Sequence, residues 1–112
     1  MQNPVILGLG SFLPDIVLTN DELSKSVDTS DEWITSRTGI RQRHLLAKGE
    51  TNTDMGFAAS QAALREAGRD ASALTHIQSA TCTPDTVSPS AAGGLSQRLG
   101  GTGQFAVDLK DA

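Results

Sequence analysis

Apolar residues in this chain come in short runs set between polar turns. Val5, Ile6 and Leu7 form a continuous run inside Pro4–Leu9, which predicts a short strand covered on both faces. Gly8 and Gly10 close that run and permit a tight turn or a close approach to another element. Leu13-Pro14-Asp15 signals a turn, and Ile16-Val17-Leu18 predicts an extended segment after it. Ile40–Leu46 alternates imperfectly and predicts a strand or an extended arm. Thr75–Thr81 stands where the next strand should be, although His76, Gln78 and Ser79 interrupt it. Gln104–Leu109 predicts a last strand.

Helix signals fall between these runs. Thr19 with Glu22, and Thr29 with Glu32, have the spacing of two capping boxes. They predict short helices, the first from about Asn20 to Ser26, the second carrying Trp33, Ile34 and Arg37 and ending at Gly39. Thr53 or Asp54 opens the best helix, which runs to Ala67 and stops at Gly68. Met55, Ala59, Ala62, Ala63 and Ala67 give it a face of small residues, suited to close packing against something flat. Ser88-Pro89 reads as a cap followed by proline in the first turn of a helix to Leu99. Gly93-Gly94 within it suggests tight backbone approach to a neighbour. Strands alternating with helices predict an α/β fold with a mostly parallel sheet, read as one domain over 1–112 with no internal boundary.

Composition narrows the function. The chain has 112 residues, 38% hydrophobic and 20% charged, with a net charge of -4. The acidic balance argues against wrapping nucleic acid or binding an anionic membrane. No apolar run is long enough to span a bilayer, and no secretory signal is visible. With a single cysteine, Cys82, the chain has no internal disulfide and no cysteine-rich metal site. A cytoplasmic setting is the plain expectation.

Several residues invite chemistry. Gly8-Leu9-Gly10 follows a predicted strand, as a dinucleotide fingerprint would, but Leu13 stands at the third glycine position and Pro14 blocks the helix. A tight turn is the better reading. Cys82 lies about 20 Å from His76 along a straight strand and reads as a small buried hydrophobe. His44 and His76 lack a third ligand for a metal. Trp33 and Arg37 stand four apart and share a helix face. They make either a core tryptophan overlaid by arginine or a platform for a flat base with phosphates. Arg37, Arg41 and Arg43 can hold phosphate by forked hydrogen bonds or pair with carboxylates.

The segment Val27-Asp28-Thr29-Ser30-Asp31-Glu32-Trp33-Ile34, continued by Ser36-Arg37-Thr38-Gly39-Ile40 and Arg43-His44, resembles β-ketoacyl-acyl-carrier-protein synthase III. Gly8–Pro14, Met55-Gly56-Phe57, Pro89-Ser90-Ala91-Ala92 and Val107-Asp108 extend the likeness over essentially the whole chain. The resemblance implies the N-terminal part of a thiolase fold and an acyltransferase of fatty-acid synthesis. Such enzymes load an acyl group from acyl-CoA onto a cysteine and condense it with malonyl-acyl-carrier protein. It implies Trp33 stacked on the CoA adenine, Thr29 hydrogen-bonding near that base, and Arg37 beside the nucleotide. It implies a homodimer and no cofactor, acyl-CoA being a substrate.

By the same register the nucleophilic cysteine falls just after Ala112, so no catalytic residue is expected here and the chain alone is expected to be inactive. A complementary C-terminal fragment is the expected partner if the chain is cleaved. Lys110-Asp111 stand where small residues are usual beside that cysteine, and Ser88, after Val87, stands where the family often carries an aromatic. The smaller residue predicts a longer or branched acyl group. Two alternatives remain: a secondary-metabolite condensing or acyl-transfer enzyme of the same fold, and a non-catalytic fragment binding nucleotide or a partner.

Overall fold

The computed structural model describes residues 3–110. They form two compact units, Leu13–Glu50 and a second unit made of the residues up to Phe12 with those from Thr51 onward.

The smaller unit holds β1 (Ile16–Thr19), α1 (Asn20–Leu23), α2 (Asp31–Thr38) and β2 (Gln42–Leu45). β1 and β2 pair antiparallel, with Ile16 opposite Leu45 and Thr19 opposite Gln42. The arm after α2 is thus a partner for β1 and not a member of the parallel sheet. Thr19 and Glu22 make the expected reciprocal cap on α1. That helix ends at Leu23, short of Ser26, because the Leu23 carbonyl takes the Ser26 and Val27 N–H groups in a closing turn. The second cap differs from expectation by one residue. The Ser30 hydroxyl, not Thr29, accepts the Trp33 N–H at 3.1 Å, and the helix begins at Asp31. Gly39 ends α2 in the left-handed region, with φ 73°.

The larger unit holds α3 (Asn52–Ala67), a 3-10 turn (Ala71–Ala73), β3 (His76–Ala80), α4 (Ala91–Arg98) and β4 (Phe105–Leu109). β3 and β4 pair in parallel, Ile77 opposite Ala106 and Ser79 opposite Asp108, and α4 is the crossover, packed on both strands and on α3. The polarity of β3 follows from its exposure: Ile77 is buried, while His76 and Gln78 are exposed. His76 lies 5.6 Å, centroid to centroid, from the Phe105 ring opposite it.

Helix starts here differ from the sequence expectation too. Thr51, not Thr53, caps α3, with Asp54 as its reciprocal partner. Ser90, not Ser88, caps α4. The Asp108 carboxylate takes the Ala91 and Ala92 N–H groups at 3.0 and 2.8 Å, which fixes the start at Ala91. Pro89, joined to Ser88 by a cis peptide, lies ahead of the helix.

The apolar run 4–9 is not a strand, because no strand among the described residues supplies a ladder for it. Val5, Ile6, Leu7 and Leu9 are exposed. The two glycines beside them make the predicted close approach, onto the alanine face of α3. A Cβ on Gly8 would fall 2.5 Å from the Ala63 carbonyl oxygen, and one on Gly10 2.1 Å from that of Ala59. Gly93-Gly94 does not behave this way: a Cβ on Gly94 would meet only Thr53, at 3.9 Å. Among the described residues, Ile34, Ile77 and Ala92 are the buried hydrophobics.

Candidate functional site

The site candidates lie on α2 and the residues that lead into it. Ser30, Asp31 and Glu32 start this helix by supplying a capping oxygen and two acidic side chains to the positive end of the helix dipole. Helical spacing then sets Trp33 and Arg37 on one face. The Arg37 guanidinium lies 5.0 Å from the centre of the Trp33 ring. Trp33 is 55% exposed, so it is not the core tryptophan that sequence reading kept open. One face of the indole is stacked by a cation, and the side chain remains open to solvent.

Thr29 precedes the cap. Its Oγ1 is buried and makes no hydrogen bond within the protein. An unmet hydroxyl of this kind is uncommon, because its desolvation goes uncompensated. Asp28, Thr29, Ser30 and Trp33 line a recess of about 320 Å³. The recess therefore sets the aromatic side chain of Trp33 beside Thr29, whose shielded hydroxyl is unpaired within the protein.

The three arginines of this region do not act together. Arg43 donates to the Leu18 carbonyl at 3.3 Å and to Asn20 Oδ1 at 2.6 Å. It is a structural donor, not the phosphate ligand that was considered. Arg41 is exposed, and Arg37 is engaged over Trp33. His44 contacts the Pro14 carbonyl through Nδ1 at 2.5 Å.

Sequence reading missed Asn20, the one buried polar residue among the described residues, at 1% exposure. Its Nδ2 donates to Asp31 Oδ1 and to the Ile40 carbonyl, both at 2.7 Å. The only local signal was an asparagine inside a helix start, a position where better helix formers are the norm.

Cys82 lies in the bend after β3 and is exposed, which corrects the expectation of a small buried hydrophobe. Gly8-Leu9-Gly10 packs against α3 and opens no helix, so it is not a phosphate cradle. Among the described residues, no group of three or more His, Cys, Asp or Glu is placed to hold a metal ion. Asp111 and Ala112, and with them half of the charged pair noted above, lie outside the described residues.

The parallel β3–α4–β4 crossover belongs to a thiolase-like α/β fold, of which this chain holds a part. Within that class the chain is similar to β-ketoacyl-[acyl-carrier-protein] synthase III, as residues 27–44 implied. It is 53% identical to that protein of Oleidesulfovibrio alaskensis over 96% of its own length and 32% of the relative's. The 3-oxoacyl-[acyl-carrier-protein] synthase III of Aquifex aeolicus VF5 superposes with a TM-score of 0.83 at 48% identity, over 96% of this chain and 34% of that one. The priming β-ketosynthase from the R1128 polyketide biosynthetic pathway gives a TM-score of 0.83 at 34% identity, over 95% and 32%. No family model matches the chain. The chain spans about a third of the length of the relatives it matches.

Proposed function

We propose that this chain carries part of the acyl-CoA-binding surface of a condensing enzyme like β-ketoacyl-acyl-carrier-protein synthase III. In this reading Trp33 stacks on the adenine, Thr29 hydrogen-bonds to the base, and Arg37 holds the nucleotide's phosphates. The observation that carries it is the exposed Trp33–Arg37 stack beside the unmet Thr29 hydroxyl. A guanidinium over an indole attracts a ring and a polyanion at once.

The complete protein loads an acyl group on a cysteine thiolate, releasing CoA. It then joins that group to the enolate left when malonyl-acyl-carrier protein loses carbon dioxide. Both units belong to one thiolase-like domain, the assembly is a homodimer, and no cofactor beyond the substrates takes part. Cytoplasmic location fits a chain in which no described helix is long and apolar enough to cross a membrane. Ser88, which follows Val87, is smaller than the aromatic residue the family often carries there, and this supports a longer or branched acyl group. The likeness to a polyketide priming ketosynthase supports a second reading, priming of secondary metabolism. Acyl-chain profiling of the complete protein tests the wider pocket, which strict acetyl preference would overturn, and a malonyl-carrier assay against a panel of acceptor nucleophiles separates the two pathway readings.

Trp33 is the only tryptophan, and the chain has no tyrosine, so its emission reports this site alone. CoA titrated into the chain should quench that emission saturably, while pantetheine, which lacks the nucleotide, should not. Unchanged emission at millimolar CoA would refute the reading.

A further inference from the structure

We propose that Asn20 is a positioning residue for the Trp33–Arg37 platform, setting the orientation of α2 from outside the binding surface. The proposal rests on the reading of that platform as a nucleotide site. The carboxamide of Asn20 reaches both ends of α2. Its Nδ2 donates to Asp31, the first residue of the helix, and to the carbonyl of Ile40, the residue after the Gly39 cap, both at 2.7 Å. Its Oδ1 accepts from Arg43 Nη2 of β2 at 2.6 Å. Arg43 Nη1 in turn donates to the Leu18 carbonyl of β1 at 3.3 Å.

The orientation of this amide is fixed by its partners. Two acceptors face the nitrogen and a cation faces the oxygen, so a flipped amide would lose all three bonds. The backbone of Asn20 is held as well, its N–H donating to the Arg41 carbonyl at 3.2 Å. Thr35 Oγ1, one turn into α2, donates to the same Asp31 oxygen at 3.2 Å. The ribbon of β1 and β2 is thereby tied to α2 at its entry and its exit through one buried side chain. α2 is eight residues long and has Ile34 as its buried residue, so apolar packing alone holds it weakly. A polar network satisfied at every member can fix an orientation that so small an apolar contact cannot.

Asn20→Asp tests this with almost no change of shape. It keeps an acceptor for Arg43 but replaces both donated bonds with a carboxylate set against Asp31 and the Ile40 carbonyl. Hydrogen exchange, read by NMR on the 112-residue chain without ligand, should show α2 amides such as Ile34 and Arg37 losing at least tenfold protection. Amides of the β1–β2 ribbon should stay within threefold of wild type. The single indole N–H resonance of Trp33 should shift. The apparent affinity for CoA should fall at least tenfold. Asn20→Asp with Asp31→Asn reverses donor and acceptor between the two residues and should recover at least half of the α2 protection. Arg43→Lys, which keeps the charge but withdraws the fork, should give a smaller loss of the same kind.

Loss of protection in α2 and the β1–β2 ribbon together would mean a plain folding role and would overturn the proposal, as would unchanged α2 protection. Wild-type chain that ignores CoA refutes the nucleotide reading alone, since the exchange measurement needs no ligand.

Discussion

Arg37 places its guanidinium 5.0 Å from the centre of the Trp33 ring. At an exposed site such a contact is worth about 0.5–1 kcal/mol. Arg37→Ala should therefore cost the chain less than about 1 kcal/mol of stability yet weaken CoA binding at least tenfold. Arg37→Lys should fall between, because it keeps charge but loses the planar stack. Thermal melts and Trp33 quenching, run on the same samples, check this. Equal losses in both measurements would mean that the pair serves only the fold.

Gly10 lies against α3 so closely that a methyl group there would overlap the Ala59 carbonyl and the Ala63 amide, at 2.1 and 2.4 Å. Backbone atoms of a helix cannot yield as a flexible side chain would. Gly10→Ala should cost about 1–3 kcal/mol or release residues 3–12 from α3. Limited proteolysis reads the second outcome directly as early cleavage near Leu9. Gly49→Ala is the comparison: nothing lies within 4 Å of its Cβ, so its cost should come from its positive φ alone, and residues 3–12 should stay docked.

Asp108 closes the turn from sheet to helix by accepting the first two N–H groups of α4. Asp108→Ala should lower stability by about 1–2 kcal/mol, the usual cost of a lost cap, and should fray α4 first. Asp108→Asn should lose less, since one oxygen still accepts. Exchange of the Gly93 and Gly94 amides measures the fraying; unchanged rates would show that Ser90 alone holds the helix start.

Local chemistry made some of this architecture readable. Gly39 and Gly68 end helices where the sequence says they should, because the left-handed residue is specified by the residue itself. The Thr19–Glu22 box was equally legible, since both partners lie within four residues. Helix starts with two hydroxyls close together were not. Asp85 and Asp108, each well removed in sequence, take the first amides of α3 and α4, and no local pattern reveals which residue will be left to cap. The site divides in the same way. Helical spacing put Trp33 and Arg37 together, whereas the partners of Asn20 lie 11, 20 and 23 positions away. Residues 4–9 failed for another reason: an apolar run becomes a strand only beside another strand, and the run itself does not carry its partner.

Acid should weaken the larger unit through Asp54. The Thr51 hydroxyl first, then the Arg98 guanidinium and the Thr51 N–H, draw its carboxyl from the ordinary 3.8 down to about 2. A carboxyl with a lowered pKa favours the folded state above its unfolded value. That contribution is present above about pH 4 and disappears as the pH falls through about 2. Glu22 is lowered by its bonds from Thr19. At Asp85 burial raises the pKa, but the bonds from Thr53 and Asn52 outweigh it and the net shift is downward. Asp85 therefore adds to the same acid loss, while Glu22 gives a loss of the same sign in the smaller unit. Asp54→Asn isolates one share of it. Urea midpoints measured between pH 5 and pH 2 should fall more steeply in wild type than in Asp54→Asn, and the two curves should converge at the acid end. Parallel curves would show that the Thr51–Asp54–Arg98 cluster has the same proton affinity in the folded and unfolded chain.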